Sequence, residues 1–457
     1  MFWIPGTDVA DFAKRGLILA EGEPMQPLTR SIERMGKLVS MRLRDVLAAL
    51  DGDALRQHGC LFGGGTCIAL RYGEYRESVS QDAYDIARIV DKMEHLHFYQ
   101  RAVVPRDIPE ASAMDINTCY LSVSGTTKHV GTSWVHPDHL EASLKMLHEI
   151  AGGEDKWRAR PFVSQSNCFV VPPLKFASDA CKCLEVAVHG GMPVLLLSAG
   201  QAGATAPAAI AGALVQQVAE CLAGLAYVNA IKPGAPAIFG LWCFVSDLRS
   251  GAMSGGSPEQ VLLSAASAQM AQFYNLTGGT SSGISDAKYP DAQSGSEKGI
   301  NHALVGNAGM NLIYEAAGMH GSLLGYSYEG IILDNDTIGS VQRTIKGIEV
   351  TDESLSIETM RAQCIGGPGH YLGAEQTLRI MQSEYLYPAI GDRLSSKEWK
   401  EVGKPEIYHV AHKKVREILD SHYPDHISES MDANIRSYLD IRLPREKMVN
   451  PNLVNAG

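Results

Sequence analysis

A short apolar run, rich in β-branched and aromatic residues, recurs about every 30–40 residues down this chain, and helical patterns fill the intervals. That rhythm limits the possible folds more than any other feature. The spacing suits a strand plus a crossover helix, the connection that parallel strands need. The runs are 97–104 (HFYQRAVV), 127–134, 161–168, 193–199, 236–244, 274–281, 311–316 and 327–334. Eight such units favour a closed (β/α)8 TIM barrel, an α/β fold, over an open doubly wound sheet. The last interval is short, so its helix is brief or that pair is misread.

The flanks read as helical. Ile32, Met35, Leu38, Val39, Val46, Leu47 and Leu50 fall at helical spacing. Beyond residue 340, Ser395-x-x-Glu398 forms a capping-box pattern. Pro405 then opens a helix whose apolar stripe is Ile407, Val410, Ala411, Val415, Ile418 and Leu419. The expected division is a helical N-terminal region at 1–60, the barrel at 61–345, and a C-terminal helical part at 346–457 packed on the barrel.

Composition serves mainly to exclude. With 45% hydrophobic and 20% charged residues, the chain can bury a large core. A net charge of -11 and a pI near 5.8 argue against nucleic acid, which needs clustered Lys and Arg. The N-terminus lacks the pattern of a secretory signal. The apolar stretch from Pro207 to Val228 carries Gln216, Gln217 and Glu220, so it reads as a buried helix and not a membrane span. Nine scattered cysteines suggest reduced thiols in a cytoplasmic protein. No metal site is expected. His409 and His412 lie off their apolar stripe with no third ligand near, and His136, Asp138 and His139 fit an ordinary helix start. The glycine run after Cys60 lacks dinucleotide spacing and reads as a turn.

Three segments carry more chemistry. Residues 281–298 (SSGISDAKYPDAQSGSEK) follow the sixth run, which puts them in a loop at the catalytic face of a barrel. Residues 325–339 (GYSYEGIILDNDTIG) set Asp334-Asn335-Asp336 at the C-terminal end of the last run, where helix capping accounts for one Asp but not two. Residues 366–379 (GGPGHYLGAEQTLR) surround His370 and Tyr371 with glycines, in a core turn or in a loop that clasps a ligand.

SDAK at 285–288, PDAQSG at 290–295, LDND at 333–336 and GHYLG at 369–373 together resemble the trimethylamine methyltransferase superfamily. That resemblance spans about residues 60 to 445 and implies a TIM barrel. It also implies methyl transfer from a methylated amine to the Co(I) of a corrinoid protein. The founding enzymes carry pyrrolysine just before the SDAK-like stretch, and Ile284 stands there in this chain. The sequence is therefore similar to non-pyrrolysine members, which demethylate glycine betaine and other quaternary amines. Chemistry agrees with such a substrate. A quaternary ammonium leaves as a neutral amine without prior activation, so displacement needs mainly positioning and a dry pocket.

The site expected from this resemblance places Ile284, Asp286 and Asp334 around the transfer. The two aspartates should face the barrel mouth and hold the pocket by hydrogen bonds, not act as bases. A quaternary ammonium is recognised by aromatic faces, for which Trp242, Phe244, Tyr328 and Tyr371 are the candidates. Gln165 and His370, with Asn167 and Arg101, are candidate donors to a betaine carboxylate. No cofactor is expected to be tightly bound, because the chain lacks a DxHxxG motif. A corrinoid (cobalamin) would arrive on a partner protein or as a free acceptor, with tetrahydrofolate as a variant. The expected partners are a small quaternary amine, a corrinoid protein and further copies of the chain, without nucleic acid or membrane. Two other readings stand beside this one. The first is a lyase or aldolase using Lys288 as a Schiff base, and the second is a non-catalytic quaternary-amine-binding protein.

Overall fold

The computed structural model describes residues 67–69 and 74–451. The helical N-terminal region and the glycine run after Cys60 lie outside the described residues. Seven strands form the central sheet: β1 (Phe98–Gln100), β2 (His129–Thr132), β3 (Val163–Asn167), β4 (Val194–Ser198), β5 (Ala237–Leu241), β6 (Gly278–Ser281) and β7 (Leu312–Tyr314). They lie side by side in chain order, and every neighbouring pair is parallel. Each falls inside one of the first seven apolar runs. The central strand β4 (VLLLS) is buried at all five positions, as a strand covered on both faces must be.

The crossovers are helical. Helix α1 (Ser80–Asp91) precedes β1. Helices α2 (Ala111–Gly125), α3 (Pro137–Ala151), α4 (Ser178–His189), α5 (Ile210–Ile231), α6 (Pro258–Phe273) and α7 (Ala292–Asn307) follow β1 to β6 in turn. The sheet curls until its two edges meet, where the rings of Phe98 on β1 and Tyr314 on β7 stand edge to face 5.0 Å apart. The result is a nearly closed TIM barrel.

The eighth apolar run is not a strand. Most of it lies in helix α8 (Tyr328–Lys346). Ser327 is the N-cap, its Oγ accepting from the amide of Gly330 at 3.1 Å. Just before it, Gly325–Tyr326 pairs with Met319–His320 and with Cys67–Ala69 in a small sheet beside the barrel. Asp334 and Asp336 therefore sit within a helix and not at a strand end.

Helix α5 is the one described helix long and apolar enough to cross a membrane. It packs on the barrel with Gln217 and Glu220 buried. Gln217 donates to the carbonyl of Gly200, and Glu220 accepts from Ser198 Oγ at 2.5 Å. Downstream, α9 (Ile407–Ser421) buries Ala411, Val415 and Ile418 of the expected stripe against α8 and α1. Arg88 of α1 caps its C-terminal end, donating to the carbonyls of Leu419 and His422 at 2.7 Å each. The Ser395–Glu398 capping box forms as expected. Between α8 and α9 runs an arm in which Ala374 is the single buried residue from 348 to 410.

Candidate active site at the barrel mouth

Contacts between strands that are not neighbours identify the side chains inside the barrel. Ser166 of β3 donates to Gln100 of β1 at 3.2 Å, and Trp242, just past β5, lies 5.4 Å from Tyr314 of β7. Gly131 makes room for Gln100, because a Cβ there would stand 2.0 Å from its Oε1. Gly279 does the same for the Tyr314 ring, at 2.9 Å. Phe98, Tyr314, Trp242 and Phe244 form a continuous aromatic stack, with Trp242 and Phe244 6.5 Å apart. Among the described residues, the buried Trp242 indole N–H has no acceptor.

Glu315 lies directly after β7, at the C-terminal end where barrels place chemistry. It adopts φ = 53°, a left-handed conformation that costs free energy for a residue other than glycine. It is buried, and no side-chain hydrogen bond or ion pair reaches its carboxyl among the described residues. Burial pushes its pKa up from 4.5 to about 7, against the pull of the Arg101 charge. Arg101 follows β1 across the seam, is also buried, and donates to Ser133 Oγ at 2.9 Å. A buried carboxyl and a buried guanidinium thus share the mouth with the aromatic stack. Sequence reasoning missed Glu315. Its one signal is a lone acidic residue directly after an apolar strand (NLIYEA).

Asp286 is a fastener. It accepts from Ser254 Oγ at 2.6 Å, from the Gly255 amide at 2.8 Å and from Ser322 Oγ, which ties together the loops after β5, β6 and β7. Glu297 of α7 supports the same loop through Ser285 Oγ at 2.6 Å and the Asp286 amide at 2.9 Å. Both carboxylates wall a cleft of about 780 Å3 that opens between these loops and α6. Ile284 is fully buried under Gly255, where an added Cβ would stand 2.2 Å from Ile284 Cγ2.

The LDND segment is a three-way tie. Asp334 accepts from Lys298 Nζ at 2.6 Å and from the Gly318 amide at 2.7 Å, pinning the loop after β7. Asn335 accepts from the His95 amide at 3.0 Å. Asp336 accepts from the amides of Ala389, Ile390 and Gly391 at 2.9–3.0 Å. The buried Lys298–Asp334 pair lies between helices, so Asp334 supports the mouth from behind and does not face it.

Of the other expected residues, Trp242 and Phe244 face the barrel interior. Gln165 is buried, with neither amide atom partnered among the described residues. Strand alternation gives it the face of Asn167, which turns outward to donate to Ala180 of α4. Tyr328 donates to Asp82 of α1, away from the mouth. His370 and Tyr371 are exposed on the arm, where Tyr371 meets Cys364. Lys288 is exposed and donates to the Asp286 carbonyl at 2.6 Å, which gives no support to a Schiff-base role. His412 pairs with Glu329 at 2.7 Å, and His139 with Asp115 at 2.8 Å.

Comparison with known proteins places this geometry in context. Residues 64–446 match the family described as trimethylamine methyltransferase (MTTB). The trimethylamine methyltransferase MttB of Methanosarcina thermophila is 33% identical over 373 residues, 80% of this chain and 75% of that protein. MttB of Desulfitobacterium hafniense is 30% identical over 380 residues, 83% and 75% of the two chains. A glycine betaine methyltransferase of D. hafniense is 29% identical over 369 residues, 80% and 76%. Among solved structures, the Methanosarcina barkeri monomethylamine methyltransferase MtmB superposes with a TM-score of 0.46 at 9% identity, covering 90% of this chain and 92% of that one. The chain belongs to the trimethylamine methyltransferase family and is a methyltransferase.

Proposed function

We propose that the enzyme takes a methyl group from a quaternary amine that also bears a carboxylate, glycine betaine or a close relative, and passes it to the Co(I) of a corrinoid protein. The observation that carries this reading is that a buried carboxyl, Glu315, and a buried guanidinium, Arg101, lie near the aromatic stack with no ion pair joining them among the described residues. A betaine has one fixed positive and one negative charge. Its ammonium suits the Glu315 carboxylate and the faces of Trp242 and Tyr314. Its carboxylate suits the Arg101 guanidinium. The 29% identical glycine betaine methyltransferase supports the same substrate class. So does Ile284, an inert side chain where the pyrrolysine members carry a reactive one.

In this reaction a C–N bond breaks, its electron pair stays on nitrogen, and the methyl carbon bonds to the acceptor. The corrinoid supplies a strong nucleophile. The chain's own residues hold the ammonium in line with the open mouth and exclude water, and Asp286 and Asp334 fix the loops that shape the opening. No proton moves, so no general base is required. Mixing the enzyme with chemically reduced cobalamin and single amines tests the reading. Cob(I)alamin absorbance should fall with glycine betaine or a similar betaine, with dimethylglycine appearing in the betaine case. A preference for trimethylamine over every quaternary amine would refute it.

A further inference from the structure

We propose that the Ser281 hydroxyl and the Trp242 indole N–H form a donor pair inside the barrel that takes a carboxylate oxygen of the substrate. This rests on the reading of the substrate as a quaternary amine that bears a carboxylate. Strand register brings the two side chains together. Gly240 of β5 lies beside Gly279 of β6, and two residues further on Trp242 comes beside Ser281. The backbone ladder still holds at that level. The Trp242 amide donates to the Ser198 carbonyl at 3.0 Å, and the Ser282 amide to the Tyr314 carbonyl at 2.9 Å. Thr280 Oγ1 donates to the Leu241 carbonyl at 2.6 Å, which holds the ends of β5 and β6 side by side. Gly279 faces the interior, where an added Cβ would meet the Tyr314 ring, so strand alternation turns Ser281 the same way. Tyr314, the register partner of Ser281 on β7, completes a row of three across β5, β6 and β7.

Both donors are unused among the described residues. Ser281 is fully buried and Trp242 nearly so, yet neither Ser281 Oγ nor Trp242 Nε1 has a hydrogen-bond partner there. A buried donor left without an acceptor costs folding free energy, so most such groups are paired. Closer to the other end of the barrel interior they are paired: His129 with Ser164 at 2.9 Å, and Ser166 with Gln100 at 3.2 Å. The two exceptions stand at the C-terminal ends of β5 and β6, where barrels place chemistry. What this corner lacks is an acceptor, and the rings beside it suit an ammonium. A betaine brings both groups in one small molecule. Its carboxylate only accepts, through two oxygens with about four lone-pair sites, so it has room for this pair as well as for the Arg101 guanidinium. Charge and direction are then read separately. Arg101 balances the negative charge, while the pair requires an oxygen at one place. A site built to hydrogen-bond a substrate group discriminates strongly against analogues that lack it, because its own buried donors are then left unpaired.

The test is isothermal calorimetry of the full chain with glycine betaine and with tetramethylammonium, which presents charged methyl groups without an oxygen. Wild type should bind the betaine more tightly. Ser281→Ala should weaken betaine binding about 10-fold and tetramethylammonium binding less than about twofold. Trp242→Phe keeps a ring face but loses the N–H, so it should shift the preference in the same direction. A betaine preference that neither variant changes would overturn the donor pair and leave the substrate reading standing. A wild type that binds tetramethylammonium at least as tightly as the betaine would overturn both. Urea unfolding of the ligand-free protein gives a second readout. Removing an unused hydroxyl breaks no hydrogen bond, so Ser281→Ala should leave the midpoint unchanged or raise it. A clear fall would mean that the hydroxyl already has a partner in the folded chain, which would also overturn the donor pair.

Discussion

Replacing Glu315 with glutamine should make the protein more stable and less active, and the gain should depend on pH. Among the described residues the buried carboxyl has no hydrogen-bond or ion-pair partner, and burial raises its pKa in the folded chain from 4.5 to about 7. The native state therefore keeps a proton that the unfolded chain releases between those two values. Stability is fully retained below pH 4.5, falls as pH rises through the window, and levels off above about pH 7. At about 1.4 kcal/mol per unit, the cost at pH 8 is on the order of 3 kcal/mol. Glutamine fills the same space and does not ionise. Glu315→Gln should therefore raise stability by about 2–3 kcal/mol at pH 8 and by less than about 1 kcal/mol at pH 5. Urea unfolding followed by circular dichroism at the two pH values measures both quantities, with the slope held constant as the check on mechanism. Affinity for a quaternary amine should fall at pH 8, where the wild-type carboxylate is charged. An equal change in stability at both pH values, or a loss at pH 8, would refute the reasoning. Either result would mean that the carboxyl is solvated or paired in the folded protein.

Other outcomes follow from the same geometry. Asp286→Asn keeps the size and part of the accepting capacity, so it should retain substantial turnover, whereas Asp286→Ala should lose more; equal damage from both, with a carboxyl-like acid limb in the rate, would indicate a base. Asp334→Ala leaves the Lys298 ammonium buried and unpaired, so unfolding free energy should drop by about 3–5 kcal/mol, measured by denaturant titration. Trp242→Ala should weaken binding of the quaternary amine about 10–30-fold by isothermal calorimetry, while Phe at that position should restore part of it.

Much of the barrel was legible because parallel strands buried on both faces must be short and apolar, and PVLLLSA leaves little else to be. The run at 327–334 was misleading because a short apolar stretch has too few residues to separate a period of 2 from one of 3.6. Ser327 as a helix cap was the signal that could have decided it. The loop at 281–298 was placed only in part, since its start follows from the strand before it but residues 292–298 already belong to α7. The Asp334 segment was recognised as unusual, but its partners at 95, 298, 318 and 389–391 are distant in sequence and no local pattern names them. The glycines around His370 suggested close backbone approach, yet the arm has no core of its own behind them. Glu315 escaped notice because its burial and its left-handed backbone are set by tertiary structure, not by neighbouring residues.

The seam between β1 and β7 bears on how relatives of this enzyme can diverge. A barrel closed all round by a backbone ladder changes girth only when its strand number or its stagger changes, a step too large for one mutation. Here no described backbone ladder joins β1 to β7, and the rings of Phe98 and Tyr314 meet across the gap from inside the barrel. A single codon change at either position alters the width of the lumen by the size of a side chain and leaves every strand in register. Such a barrel offers selection small, reversible steps in bore, and a lineage can follow them to bulkier or slimmer amines without rebuilding its scaffold.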